Sequence, residues 1–324
     1  MKKVLITQWL PDSAKEGVPD GVELVHPPRE NPEYTAETLR DAIADADGVL
    51  TILTRMPREL IDIGKKLQAI GNFGVGFDNI DYKYAGSKGI CVVNTPNSVM
   101  HPTAEITIGL IIAAVRGLVR YDRELRTRKR VSMTTFPVED SSLYGKTLGL
   151  VGFGRIGKTV ARKAKGMGMR IIYHDVIRAD ETVERELETS LHDFDALLRT
   201  ADIISMHCPY TTKNHHLMNE HAFSLMKPTA YFVNTARGPI HDEKALAAAL
   251  RSGRIKGAGL DVFEDEPEIL PELFELDNVA MVPHIGTSAY DVRVAMCVES
   301  LGGIYSCLHG GRPANVVNLD FFPK

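Results

Sequence analysis

Short apolar runs alternate with amphipathic stretches along most of this chain, and that alternation predicts a fold before any single residue is considered. Strand-like runs occupy 3–7, 22–26, 48–53 and 90–94, and 67–70 leads directly into Gly71-Asn-Phe-Gly-Val-Gly-Phe-Asp78. Between them, 36–46 places Leu39, Ile43 and Ala46 on one helical face, and 57–66 has a second helical period. After residue 147 the alternation resumes, with strands predicted at 147–151, 169–174, 201–206, 229–235, 255–260 and 278–282, and helices at 156–167, 191–198 and 242–251. Strands alternating with helices predict parallel α/β sheets, whose ligands sit beyond the carboxyl ends of the strands. Between the two stretches, Asn94-Thr-Pro-Asn97 is turn chemistry and a candidate boundary, and Pro137 with Ser141-Ser142 marks a loop. Pro102 opens a helix predicted to run unbroken over 103–128. Its first half, 105–115, is apolar nearly all round, so it is buried on several sides, within one domain or against a second subunit. The run 106–115 is too short to cross a bilayer.

The chemistry gathers where the predicted strands end. The strand at 147–151 runs into Gly152-x-Gly154-x-x-Gly157 and then a helix. Gly152 permits a tight turn, Gly154 lets backbone N–H groups approach a pyrophosphate, and Gly157 lets helix and strand pack closely. The same glycines also make a plain turn. The next strand ends at Asp175, at the spacing of an acid that holds a ribose hydroxyl, and that order of elements favours dinucleotide binding. Later strands end in His207-Cys208-Pro209, Thr235-Ala236-Arg237-Gly238, Asp261 and Pro283-His284-Ile-Gly286. An arginine at a strand end needs an anion, so Arg237 is read as a carboxylate or phosphate clamp, against a structural salt bridge. His284 follows a proline, and Asp265-Glu266-Pro267 lies in the preceding loop. A carboxylate beside a histidine orients the ring and favours its protonated form, which suits a proton donor. Gly74-Val75-Gly76 ends a strand too, as an anion nest or a simple turn. His215-His216 suggests a metal, but adjacent side chains in an extended chain point apart, so a surface loop and no metal are expected. His207 lines a cofactor cleft, and Trp9 either walls a pocket or packs in the core.

Composition narrows the classes. Lys plus Arg number 38 and Asp plus Glu 42, a net charge of -4, which points away from nucleic acid and membrane surfaces. The basic run 120–130 holds five Arg and one Lys and reads as a solvated helix end. Cys91, Cys208, Cys297 and Cys307 form no C-x-x-C, and no leader opens the chain, so a reducing, cytoplasmic setting is expected.

On these motifs the chain resembles the D-isomer-specific 2-hydroxyacid dehydrogenase family along essentially its whole length. They are Leu148-Gly-Leu-Val-Gly-Phe-Gly-Arg-Ile-Gly157, Val233-Asn-Thr-Ala-Arg-Gly238, Gly259-Leu-Asp-Val-Phe-Glu-Asp-Glu-Pro267, Val282-Pro-His-Ile-Gly286 and Gly74-Val-Gly-Phe-Asp-Asn-Ile-Asp81. The resemblance implies two Rossmann-like domains with parallel sheets. One is a flavodoxin-like substrate domain of 1–98 plus 288–324, the other a doubly wound NAD-binding domain of 99–287. It implies Arg237, Glu266 and His284 as the catalytic set. Thr103, Gly152, Gly154, Arg155, Ile156, Gly157, Asp175, Cys208, Pro209, Thr235, Ala236, Asp261 and Gly286 become cofactor contacts, with Asp261 the partner of the nicotinamide amide. Val75, Gly76, Leu53 and Arg237 become substrate contacts, and Trp9, Arg55 and Met56 join Leu53 in setting substrate choice. NAD is the expected cofactor, with NADP secondary through Arg178, and the apolar helix from Glu105 becomes the seam of a homodimer. The substrate is a small 2-oxo acid, of glyoxylate, hydroxypyruvate or 2-ketogluconate type. A short phosphoglycerate dehydrogenase, a D-lactate-type enzyme, a phosphite oxidase and an NAD-sensing corepressor-like protein are the competing readings. Asn214 departs from a commoner threonine, and the end at Lys324 leaves no added regulatory domain to expect.

Overall fold

The computed structural model describes residues 1–16, 21–130 and 140–323. Pro137 lies outside them. The chain divides into two compact units, Met1–Val99 with Thr287–Lys324, and Met100–Gly286.

The first unit is built on five parallel strands: β1 (Lys2–Ile6), β2 (Val22–Val25), β3 (Gly48–Thr51), β4 (Ala69–Asn72) and β5 (Cys91–Val93). Their order is β2-β1-β3-β4-β5, the flavodoxin-like arrangement. Side chains alternate between two apolar layers, as a parallel sheet covered on both faces requires. Val4, Ile6 and Leu50 face the C-terminal helix Tyr290–Leu308 through Cys297, Leu301 and Ile304. Leu5, Val49 and Ile70 face Ile43, Leu60 and Ile61 on the other side. Gly48 and Gly71 let that helix approach, since a Cβ on either would run into Ile304. Asn318 then ties the tail down, accepting from Val92 N and donating to the carbonyls of Ile90 and Tyr82.

The second unit holds six parallel strands: β6 (Thr147–Val151), β7 (Arg170–His174), β8 (Ile203–Met206), β9 (Tyr231–Asn234), β10 (Gly257–Leu260) and β11 (Val279–Met281). The order β11-β10-β9-β8-β6-β7 reverses direction at β6, so the switch point lies between β6 and β8. Gly152 ends β6 there with φ +95°, and a Cβ would overlap the backbone of His207 and Cys208.

Several expectations change. The helix predicted over 103–128 is two helices, Met100–Val115 and Leu118–Arg128, bent by 61°. Gly117 makes the break with φ +61°, and Asp140 pins it by accepting from Arg120 and from the Tyr121 hydroxyl. Met100–Val115 buries Thr103, Thr107, Leu110 and Ile111 in its own unit. The basic run lies on the exposed second helix, where Arg123 pairs with Asp277, Arg126 with Asp122 and Arg128 with Glu124. The helix predicted from 191 starts at Phe194, because Leu191 bridges to Tyr173 and Asp193 is the extended N-cap. The third strand stops at Thr51, and Leu53 has turned out of it with φ +56°. Met56 is fully buried in the core and cannot touch a substrate. Among the described residues, no single helix is long and apolar enough to cross a membrane.

Candidate active site

All six strands of the second unit are parallel, so their chemistry-bearing ends share one edge of one sheet. The glycine turn comes first. Gly157 is required by packing, since a Cβ would overlap the Gly152 carbonyl. Gly154 is different. Its φ of −75° suits any residue, and a Cβ there would meet no atom within 4 Å. The chain's own packing therefore does not explain the missing side chain. The position is open, and the N-terminus of helix Arg155–Gly166 offers unpaired N–H donors beside it. This edge fits a dinucleotide. Arg155 is exposed and Ile156 half-buried at that terminus.

Asp175 follows β7, with Oδ2 accepting from Phe153 N at 2.6 Å and Oδ1 from Ile177 N at 3.1 Å. The carboxylate is thus fixed to the glycine turn itself. Val176 and Ile177 next to it are 95% and 76% exposed, an apolar pair that the motif reading passed over. The apolar dipeptide after the acid was the available signal. Arg178 pairs with Glu184 at 2.9 Å, and Glu184 also accepts from the buried Tyr173 hydroxyl. Arg178 is therefore drawn toward Glu184.

Beyond β8, burial lowers the His207 ring to about 3 and raises the Cys208 thiol to about 11, so neither works as an acid, base or thiolate nucleophile near neutral pH. Asn214 shapes the following loop, accepting from Thr211 N and donating to Pro209 O at 2.8 Å. Pro209 itself is exposed. Beyond β9, the buried Asn234 accepts from Ala236 N and donates to the carbonyl of Arg237 at 2.9 Å. It also meets Nδ1 of the buried His241, which burial lowers to about 4. Thr235 shares a buried hydroxyl contact of 2.8 Å with Thr107, which bonds in turn to the Thr103 carbonyl. Arg237 is half-buried, with Nη1 donating to Ala236 O. Gly238 must be glycine, because a Cβ would fall onto the Phe263 carbonyl.

The last two strand ends complete the arrangement. Asp261 is 1% exposed and accepts from Ile285 N at 2.6 Å and Gly286 N at 2.9 Å. It thereby holds the loop that carries His284. Burial raises its carboxyl pKa, an effect that the two N–H groups and the charge of His284 only partly offset. His284 is exposed, sits at φ +51°, and places Nδ1 2.8 Å from Glu266 Oε2. The other Glu266 oxygen accepts from Phe263 N at 2.9 Å. Burial pushes the Glu266 carboxyl up, but His284, the Phe263 N–H and the Arg237 charge together bring it below its usual range.

In the first unit, the Gly74–Gly76 loop follows β4. Asn72 Nδ2 donates to the carbonyls of Gly74 and Gly76, Asn94 Nδ2 to that of Val75, and Thr95 N to that of Gly74. All three carbonyls are thus held, and the N–H groups of Val75 and Gly76 have no acceptor among the described residues. Asn72 and Asn94 were not singled out from the sequence, although each ends or directly follows a strand before a turn. Leu53 is 83% exposed at the end of β3, and Arg55 is exposed too. Trp9 lies under the guanidinium of Arg29, 5.4 Å from the ring centre. The rings of His215 and His216 stack 3.9 Å apart rather than pointing away from each other, because His216 adopts φ +51° instead of an extended conformation.

Residues 108–286 match the model of the D-isomer specific 2-hydroxyacid dehydrogenase NAD binding domain. A glyoxylate reductase of Thermococcus onnurineus is 38% identical over 98% of this chain and 96% of its own length. Among solved structures, an NADPH-dependent glyoxylate/hydroxypyruvate reductase from Sinorhizobium meliloti superposes with a TM-score of 0.86 at 29% identity, covering 100% of this chain and 98% of its own. A D-lactate dehydrogenase from Aquifex aeolicus, complexed with NAD and lactic acid, gives 0.79 at 27% identity, covering 95% and 96%. The chain belongs to the D-isomer specific 2-hydroxyacid dehydrogenase family, and is an oxidoreductase that acts on the CH–OH group of 2-hydroxy acids with NAD.

Proposed function

We propose that the chain is an NADH-preferring reductase of small polar 2-oxo acids, of the glyoxylate/hydroxypyruvate type, with Arg237, Glu266 and His284 as its working residues. The observation that carries this reading is the 2.8 Å bond from His284 Nδ1 to Glu266 Oε2, on the strand edge that also presents Arg237 and Gly154. When bound, the nicotinamide supplies the hydride. The chain does the rest. The planar fork of Arg237 suits a carboxylate, and within the first unit the N–H groups of Val75 and Gly76 are by themselves suited to an anion. His284 holds on Nε2 the proton that the carbonyl oxygen receives, and Glu266 on Nδ1 keeps the ring oriented toward it.

Cofactor choice follows from Asp175 and Arg178. A carboxylate at Asp175 accepts from ribose hydroxyls and repels a 2′-phosphate. Arg178, paired with Glu184, is a poor counterweight. The NADPH dependence of the S. meliloti neighbour is therefore not carried over. Val176 and Ile177 are read as apolar ground for the adenine ring. The test is steady-state kinetics with NADH and NADPH against glyoxylate, hydroxypyruvate, pyruvate, 2-ketogluconate and phosphohydroxypyruvate. Glyoxylate or hydroxypyruvate should give the highest kcat/KM, and NADH should exceed NADPH by about tenfold, a difference of roughly 1.4 kcal/mol. Phosphohydroxypyruvate as best substrate, or NADPH as better cofactor, would overturn the assignment. No turnover with any of them would favour the corepressor-like reading.

We also infer a homodimer through the Met100–Gly286 unit. Ile106, Ile108 and Ile112 are only partly buried on their helix, and Leu118, Val119 and Leu125 on the next are 51%, 49% and 51% exposed. Light scattering on the purified protein should give twice the 35.7 kDa chain mass. A monomer at micromolar concentration would remove this inference. Four free cysteines fit a reducing, cytoplasmic setting.

A further inference from the structure

We propose that His215, His216 and Glu264 form a divalent transition-metal site, distinct from the catalytic set, that joins the loop after β8 to the loop after β10. One ligand atom from each residue lies within 4.8 Å of the others. The two loops already meet there, with His216 Nε2 2.5 Å from Glu264 Oε1. Tetrahedral zinc, with bonds of about 2.0–2.2 Å, sets its ligand atoms roughly 3.3 Å apart. The histidine–glutamate contact must therefore open slightly, and the exposed His215 ring must turn out of its stack on His216 so that both ring planes meet at the metal.

Two features separate this cluster from a chance meeting of surface side chains. Both loop backbones are fixed beforehand. His216 N donates to Pro239 O at 2.9 Å, and the buried Glu243 accepts from Glu264 N at 2.8 Å and from Leu270 N at 3.2 Å. The second feature is an outer partner. Asp242 Oδ2 lies 3.8 Å from His216 Nδ1, while its other oxygen caps the helix Glu243–Arg251 by accepting from Ala245 N. Coordination through Nε2 would leave Nδ1–H facing that carboxylate, the arrangement that orients metal-bound imidazoles. Two imidazoles and one carboxylate favour Zn2+, Ni2+ or Co2+ over Mg2+ or Ca2+. The exposure of His215 leaves water as the remaining ligand.

The probe is zinc chloride titrated calorimetrically into the chelator-stripped, full-length protein. One zinc per chain is expected. His215→Ala and Glu264→Gln should each weaken binding by well over tenfold, and Asp242→Asn by about tenfold, the usual worth of an outer-shell partner. Because Asp242→Asn also touches a helix cap, each variant is checked by circular dichroism. A second readout does not depend on affinity: excess zinc should raise the Tm of the parent protein but not that of His215→Ala. Equal zinc affinity in the parent and His215→Ala overturns the site. So does the absence of stoichiometric binding in the parent, or an equal rise in Tm in both.

Discussion

His284 sits at φ +51°, where a residue with a side chain is strained at a cost of about 1–3 kcal/mol. Nothing in the core needs this, since the ring is exposed. What holds it is Asp261 beneath, through the N–H groups of Ile285 and Gly286, and Glu266 beside it. The two carboxyls shift in opposite directions, and the signs differ accordingly. Glu266 is lowered, so its share of stability is present above the ordinary glutamate range and is lost as pH falls through its lower folded value. Asp261 is raised, so its ionised form is a cost near neutral pH, accepted where the loop must be placed. Glu266→Gln removes the charge beside the imidazole. We predict that the variant loses the share of the acid-side fall in stability that Glu266 carries, read as Tm against pH. An unchanged acid-side dependence would remove the Glu266 carboxylate from that account. His284→Ala should lower kcat by about 100- to 10,000-fold while NADH affinity holds, and equal losses in both would argue against its role as proton donor.

At the level of elements, the glycines separate into two kinds. Gly152, Gly157 and Gly238 have no room for a side chain, whereas Gly154 has room that the protein leaves unused. Gly154→Ser, which keeps a favourable helix N-cap, should therefore weaken NADH binding by about tenfold or more and leave stability within ~0.5 kcal/mol. Gly238→Ala should instead cost about 1–3 kcal/mol in urea denaturation, because the Phe263 carbonyl in the loop after β10 must move. The reverse pattern would sink the distinction. Much of this architecture was legible in the sequence, since each strand end announced itself by a change from apolar to polar or glycine residues. Less legible were the residues that bend loops from behind. Asn72, Asn94 and Asn234 act through side-chain bonds to carbonyls two to nineteen positions away, which no periodicity records. The break at Gly117 was hidden as well, because apolar and basic runs on either side are both good helix.

Across the whole molecule, the chain leaves its first unit near Val99 and returns near Thr287. The resemblance joins 288–324 to the opening segment without naming an element there, and the packing of Ile304 against Gly48 and Gly71 shows the helix Tyr290–Leu308 lying on that sheet. Ile304→Ala should thus loosen the unit that begins the chain. Creating that cavity costs about 2–5 kcal/mol, readable as earlier hydrogen exchange in β3 and β4 than in β6 and β8. Equal loss of protection in both sheets would contradict this.

The order in which the ribosome releases these pieces then matters. The Met100–Gly286 unit is one continuous stretch and is free to fold as soon as it emerges. The opening ninety-nine residues are not, because the helix that covers one face of their sheet is made last. At ~5–20 residues per second, that face waits roughly 10–45 s for its cover. During synthesis the uncovered apolar face thus belongs to the Met1–Val99 sheet, and chaperone capture should be sought there.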